Sequence, residues 1–194
     1  MPAQAPDVSS VSGLEFTHTA EYRKEFSKAV SDAKAFCKQY LAEHPGARNL
    51  AIISDIDETL LDNREQFQNH DKFVWDEFET WIRQARSPLL KETAEFLSWA
   101  RKNGFAVFLV TGRPERDRLY TIENLVSHGV SYDGLYLRPE RSDEPAEFYK
   151  TPTRKSIEDK GFTIVANIGD QWSDLVGGSS LDCEKLPNKI YFIK

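Results

Sequence analysis

Leu50-Ala51-Ile52-Ile53-Ser54-Asp55-Ile56-Asp57-Glu58-Thr59 sets a short apolar run directly against an acidic one. An unbroken apolar stretch of this length reads as a strand buried on both faces, the habit of a parallel sheet. The figure recurs downstream. Phe105 to Val110 runs into Thr111-Gly112-Arg113, and Thr163 to Ile168 runs into Gly169-Asp170-Gln171-Trp172-Ser173-Asp174. Gly134 to Leu137 makes a shorter strand, and Ile190 to Ile193 reads as the last. Helical spacing fills the gaps. Tyr22, Phe26, Ala29, Ala33, Phe36 and Tyr40 share a face ahead of His44-Pro45-Gly46. Leu90 to Asn103 is a helix stopped by Gly104, and Glu115 to His128 one stopped by Gly129. Thr151-Pro152 opens a further helix, with Thr151 as its N-cap, and Gly161 closes it. Strand alternating with helix predicts an α/β fold, a parallel sheet with helices on both faces.

In such folds the working crevice lies beyond the carboxyl ends of the strands. Asp55, Asp57, Thr111, Asp170 and Asp174 all fall there, and Lys150 stands just ahead of the helix that Thr151 caps. Each has an ordinary explanation as a turn or a solvated charge. An Asp-x-Asp-x-Thr string arises by chance in a chain of this length on the order of a few per cent of the time, taking each residue type at ~6%. Four separate turns do not account for all of them arriving on one rim in this order.

So many carboxylates cannot all stay ionised in one crevice without a compensating cation. Every ligand on offer is an oxygen, with no Cys or His beside it, which favours Mg²⁺ over zinc or copper. Lys150 and the helix N-termini expected after Thr111 and Thr151 add positive potential. An acidic metal socket beside an anion socket suits a phosphate monoester.

These motifs resemble the haloacid dehalogenase (HAD) superfamily of phosphatases. Asp55-Ile56-Asp57-Glu58-Thr59, followed by Leu60-Leu61-Asp62-Asn63, is similar to its nucleophile loop. Gly169-Asp170-Gln171-Trp172-Ser173-Asp174-Leu175 and Lys185-Leu186-Pro187-Asn188 resemble subfamily IIIB, the class B-type acid phosphatases related to plant vegetative storage proteins, from about residue 20 to the end. The resemblance implies a Rossmann-like three-layer fold with a small helical cap inserted after the first strand. It implies that Asp55 attacks phosphorus to form an aspartyl-phosphate, and that Asp57 is general acid and then general base. It implies that Asp55, Asp170 and the backbone carbonyl of Asp57 hold Mg²⁺, with Asp174 supporting the metal or the lysine from behind. Thr111, the amide of Gly112, and Lys150 would hold the phosphoryl group. Lys150 is preferred to Lys155 because Lys155 lies inside the helix, and both remain candidates.

The implied layout is a flexible tail over residues 1–15, then a single HAD phosphatase domain over 16–194, with 63–87 as the cap. That insert carries Phe67, Phe73, Trp75, Phe78 and Trp81. Most should anchor it to the domain, while one or two could stack on a base or aryl leaving group. A small cap leaves the cleft partly open, which favours small monoesters broadly: nucleotides, sugar phosphates and aryl phosphates.

Bulk composition narrows the remainder. The chain has 194 residues, 40% of them hydrophobic, with 25 Lys plus Arg against 31 Asp plus Glu and a net charge of -6. No basic stripe argues for a nucleic-acid partner, and no apolar run has the length of a membrane span. Residues 1–13 lack the charged and apolar regions of a signal peptide. They resemble the Pro/Ala/Ser-rich start of a mature exported protein, so the expectation is a periplasmic or secreted enzyme, with the cytoplasm as the alternative. Cys37 and Cys183 could form a disulfide or be two thiols. His18, His44, His70 and His128 stand outside every motif, which disfavours histidine phosphatase chemistry. Three rivals remain: a signalling receiver domain, disfavoured by the second acid at Asp57; a non-catalytic storage or binding homologue, disfavoured by retention of Asp55 and Asp57; and a phosphotransferase on the same site.

Overall fold

A computed structural model of the chain describes residues 12–68, 73–140 and 144–193. Five parallel strands form one sheet in the order β3-β2-β1-β4-β5. They are β1 (Leu50–Ser54), β2 (Phe105–Pro114), β3 (Gly134–Arg138), β4 (Thr163–Gly169) and β5 (Asp182–Lys185). The helices are α1 (Gly13–Thr17), α2 (Ala20–Glu43), α3 (Trp75–Ile82), α4 (Lys91–Lys102), α5 (Arg118–Ser127), α6 (Glu147–Asp159) and α7 (Trp172–Leu175).

Both faces of the sheet are buried, as the unbroken apolar strands require. Leu50 and Ile52 point into a core shared with α2, α4 and Leu125 of α5. Ala51 and Ile53 point the other way, into a core with Phe108, Val110, Ile164 and Ile157 of α6. That is the three-layer α/β arrangement. Central β1 sets the height of the site. Ser54 pairs with Leu109 on one side and Ile168 on the other, so the loops leaving β1 and β4 emerge together at one edge.

Several elements differ from the expectation. Ile190 to Ile193 is not a strand; that segment packs Ile190 and Tyr191 beside the insert, and the fifth strand is Asp182–Lys185. Its sequence, Asp-Cys-Glu-Lys, carries no apolar signal because it is an edge strand. β2 continues through Thr111-Gly112-Arg113 to Pro114, where it pairs with Arg138 of β3 after a register shift. The next helical turn begins only at Glu115, so no helix N-terminus adjoins Thr111.

Nor does Thr151 cap α6. That helix starts at Glu147, with Thr151 and Pro152 inside it. The hydrogen bond Pro152 forgoes is to the carbonyl of Phe148, an exposed residue where water can substitute. The Thr151 hydroxyl instead donates to the carbonyl of Val176 (3.1 Å), tying α6 to the end of α7. The consequence is that Lys150 sits within the helix rather than before it.

At the N-terminus, α1 begins at Gly13 behind a Ser12/Glu15 capping box, inside the stretch expected to be tail; residues 1–11 lie outside the described residues. His70 does too. Cys37 is buried and Cys183 exposed, both as free thiols.

Candidate active site

The loop after β1 turns sharply. Glu58 adopts a positive φ of 54°, a strained conformation for a non-glycine residue that its surroundings must hold in place. They do so on both sides: the Glu58 amide donates to the carbonyl of Leu61 (2.9 Å), and its carboxyl accepts from the Asn63 amide (2.9 Å) and the Tyr191 hydroxyl. The turn leaves Asp55 and Asp57 on the rim, and the Asp55 amide donates across to the carbonyl of Ile168 in β4 (3.0 Å).

Asp55, Asp170 and Asp174 meet there, each offering an oxygen, with all three oxygens within 4.8 Å of one another. Lys150 reaches in from α6. Its Nζ donates to Asp55 Oδ1 (2.7 Å) and to Asp174 Oδ1, and the residue is only 4% exposed. Lys155, with a side chain 62% exposed, pairs instead with Glu158 and Asp159 of its own helix. Of the two lysines, Lys150 is the one at the carboxylates.

Burial pushes the Asp55 carboxyl well above the usual carboxylate range, with Lys150 opposing and the neighbouring acids adding to the rise. Burial and Asp174 push Asp170 up to about 6, against hydrogen bonds from Asn188 and Gln171 (each 2.6 Å). Burial disfavours the charge on Lys150, but Asp174 and Asp55 outweigh it and hold the ammonium well above its ordinary range.

Three buried carboxylates facing one ammonium leave negative charge without a partner. The donors are all carboxylate oxygens, with no His or Cys in the group. The site therefore fits a hard divalent cation, and Asp174 offers an oxygen beside those of Asp55 and Asp170 while accepting from Lys150.

Asp57 faces the same cleft by a different support. Arg113 clasps it through Nη2 to Oδ1 (2.7 Å) and Nε to both oxygens (3.1 Å each), and Asn63 Nδ2 donates to Oδ1 (2.9 Å). Asn63 Oδ1 in turn accepts from Trp81 Nε1 (2.9 Å) and Ser87 Oγ (2.8 Å). Thr111 is wholly buried, its hydroxyl accepting from the Arg113 amide (3.2 Å), while Gly112 lines the cleft.

The chain matches the family described as HAD superfamily, subfamily IIIB (Acid phosphatase), over residues 4–194. It belongs to that subfamily. Acid phosphatase 1 of Solanum lycopersicum is 37% identical over 179 residues, covering 89% of this chain and 69% of the relative. The stem 28 kDa glycoprotein of Glycine max is 32% identical, covering 93% and 73%. Vegetative storage protein 2 of Arabidopsis thaliana is 31% identical, covering 84% and 65%. A class C acid phosphatase from Bacillus anthracis, solved with tungstate bound, superposes with a TM-score of 0.77 over 93% of this chain and 84% of that one. At 19% identity that likeness speaks to the fold alone.

For a subfamily IIIB chain the cleft is of small-molecule size, about 610 Å³. Its floor holds Asp55, Asp57, Lys150 and Asp170, and its walls carry Phe73, Trp75 and Phe78 from the insert with Tyr191 and Phe192 from the C-terminal segment. Sequence reasoning missed Arg113, Asn63 and Asn188 as site residues. Arg113 had one legible signal, its place two residues after Thr111 at a strand end. Asn63 and Asn188 end two of the motifs that carry the resemblance, but only the fold shows that they donate to Asp57 and Asp170.

Proposed function

We propose that this chain is a Mg²⁺-dependent acid phosphatase that hydrolyses small phosphomonoesters through an aspartyl-phosphate on Asp55. The observation that carries this reading is Lys150 held on Asp55 at the floor of the cleft, within a ring of buried carboxylates. Asp55 is a nucleophile that an ammonium orients and partly keeps ionised against its burial. Asp55, Asp170 and the backbone carbonyl of Asp57 would hold Mg²⁺, with Asp174 behind them. When bound, the ion supplies positive charge that keeps the carboxylates ionised and stabilises negative charge on the phosphoryl oxygens.

The chain's own residues divide the rest. An Asp55 oxygen forms a bond to phosphorus as the ester P–O bond breaks, and the Asp57 carboxyl gives its proton to the departing oxygen. Asp57, now a carboxylate in the grip of Arg113 and Asn63, takes a proton from a water that attacks the aspartyl-phosphate. Inorganic phosphate leaves and Asp55 is restored. Lys150 stays charged throughout and offsets charge on the phosphoryl group; the Gly112 amide and Thr111 hold its oxygens. Aromatic walls and an open mouth suit nucleotides, sugar phosphates and aryl phosphates. The glycoprotein relative supports an exported location, and no helix among the described residues is long and apolar enough to cross a membrane.

A panel of p-nitrophenyl phosphate, nucleotides and sugar phosphates with and without Mg²⁺, run beside Asp55→Asn, tests this. Turnover should require both the ion and Asp55, and acid quenching should trap label on Asp55. The vegetative storage relative favours a second reading, a fold kept without catalysis. Failure of the wild-type chain to turn over any member of the panel would establish that one.

A further inference from the structure

Five buried side-chain oxygens lack a hydrogen-bond partner among the described residues, and two of them, the Tyr149 hydroxyl and Ser173 Oγ, belong to residues that line the catalytic cleft. An unpaired buried hydroxyl destabilises a fold, so it persists where something else satisfies it. Tyr149 is 9% exposed and Ser173 6%. Neither is a loose surface group free to find water by turning outward.

Their positions narrow what they await. Tyr149 precedes Lys150 on α6, and Ser173 precedes Asp174 on α7; the two helices pack on each other. Tyr149 is set against Gly112: a Cβ added there would come within 3.2 Å of its hydroxyl oxygen. A glycine at 112 thus makes room for the phenol at the strand end proposed to hold phosphoryl oxygens. Both groups are neutral O–H donors. In a site already crowded with carboxylates they add hydrogen bonds to an incoming anion without a counter-charge to desolvate.

We propose that Tyr149 and Ser173 contact the substrate, their hydroxyls donating to non-bridging oxygens of the phosphoryl group and so selecting a phosphate ester by its anionic head rather than by its leaving group. This rests on the phosphatase reading. It makes both hydroxyls groups whose cost falls on the empty protein and whose hydrogen bonds form only with phosphate in place.

Tyr149→Phe and Ser173→Ala remove one oxygen each and keep the packing. With Mg²⁺ present, the inhibition constant for inorganic phosphate should rise about 10-fold for each variant, and kcat/KM should fall by a similar factor on p-nitrophenyl phosphate, a nucleotide and a sugar phosphate alike. Melting temperatures should stay level or rise, because an unpaired hydroxyl has gone. A melting temperature lowered by several degrees would show a structural partner and overturn the proposal. So would an unchanged phosphate constant with loss confined to one class of ester, which would make these residues readers of the leaving group. Wild-type inactivity on the whole panel would sink the phosphatase reading itself; an active wild type with variants equal to it would sink only this inference. Calorimetry of phosphate binding to Asp55→Asn with and without Tyr149→Phe gives the same comparison without turnover.

Discussion

The floor of the cleft and its wall are built on opposite physical terms. On the floor, each charged side chain is fixed by directional hydrogen bonds: Lys150 by Asp55 and Asp174, Asp57 by Arg113 and Asn63, Asp170 by Asn188 and Gln171. On the wall, Phe73 meets Tyr191 at 4.9 Å and Phe78 at 5.2 Å, and Trp75 lies under the Arg138 guanidinium at 4.6 Å. Floor groups are directional and buried, so each has one place to be and its loss leaves a partner uncompensated. Wall groups are apolar and non-directional, so neighbours can share what one loses. The floor should therefore fix which reaction occurs, and the wall how broadly substrates are accepted.

The sharpest test of that division is Asp55→Asn, expected to lower kcat by at least about 10⁴-fold on every ester while leaving the fold intact by circular dichroism. Residual turnover near wild type would mean the floor does not contain the nucleophile. Next comes the pair of lysines on α6. Lys150→Ala should cost about 10²–10³-fold in kcat and Lys155→Ala less than about 2-fold, since removing one preorganised cation from a dry site is an effect of that size. The reverse ranking would break the assignment.

The floor's charge also predicts how pH and metal act on stability. In the metal-free folded protein Asp170 keeps its proton up to about pH 6, whereas unfolded it titrates at 3.8. Between those values the folded state binds more protons than the unfolded one, so stability is lost as pH rises through the window, by on the order of 3 kcal/mol. The melting temperature after chelation should accordingly drop between about pH 4 and pH 7. Mg²⁺ should raise it more at pH 7.5 than at pH 5, because the ion binds the ionised carboxylates. Equal gains at both values would say that the ion sits elsewhere.

The wall gives the smallest effect. Trp75→Ala should raise KM for an aryl phosphate about 3- to 10-fold with kcat nearly constant, and leave a small polyol phosphate unaffected. A fall in kcat would move Trp75 from the wall to the floor. Trp81 sharpens the boundary. Its ring packs in the insert, but its Nε1 holds Asn63, which holds Asp57. Trp81→Phe should therefore lower kcat, as a floor residue does, although it belongs to the aromatic group by sequence.

Short-range decisions were legible in the order of residues. Apolar runs buried on both faces announce the parallel sheet, and acids at successive strand ends announce the rim, because chain direction alone carries Asp55 and Asp170 to the same edge. Lys150 is preferred from the sequence for a place ahead of its helix, whereas the structure puts it inside α6, where its contacts with Asp55 and Asp174 single it out. Propensity places the proline at a helix start, while the Thr151 contact with Val176 and the exposure of Phe148 allow it inside. Other features exist only in the assembled fold: the edge strand Asp182–Lys185, which has no apolar pattern to announce it, the clasp of Arg113 and Asn63 on Asp57, and the two hydroxyls in the cleft without partners. The reason is range. Periodicity and strand direction are written in neighbouring residues, whereas a hydrogen bond between side chains 56 positions apart, or the lack of one, exists only once the chain has been brought together.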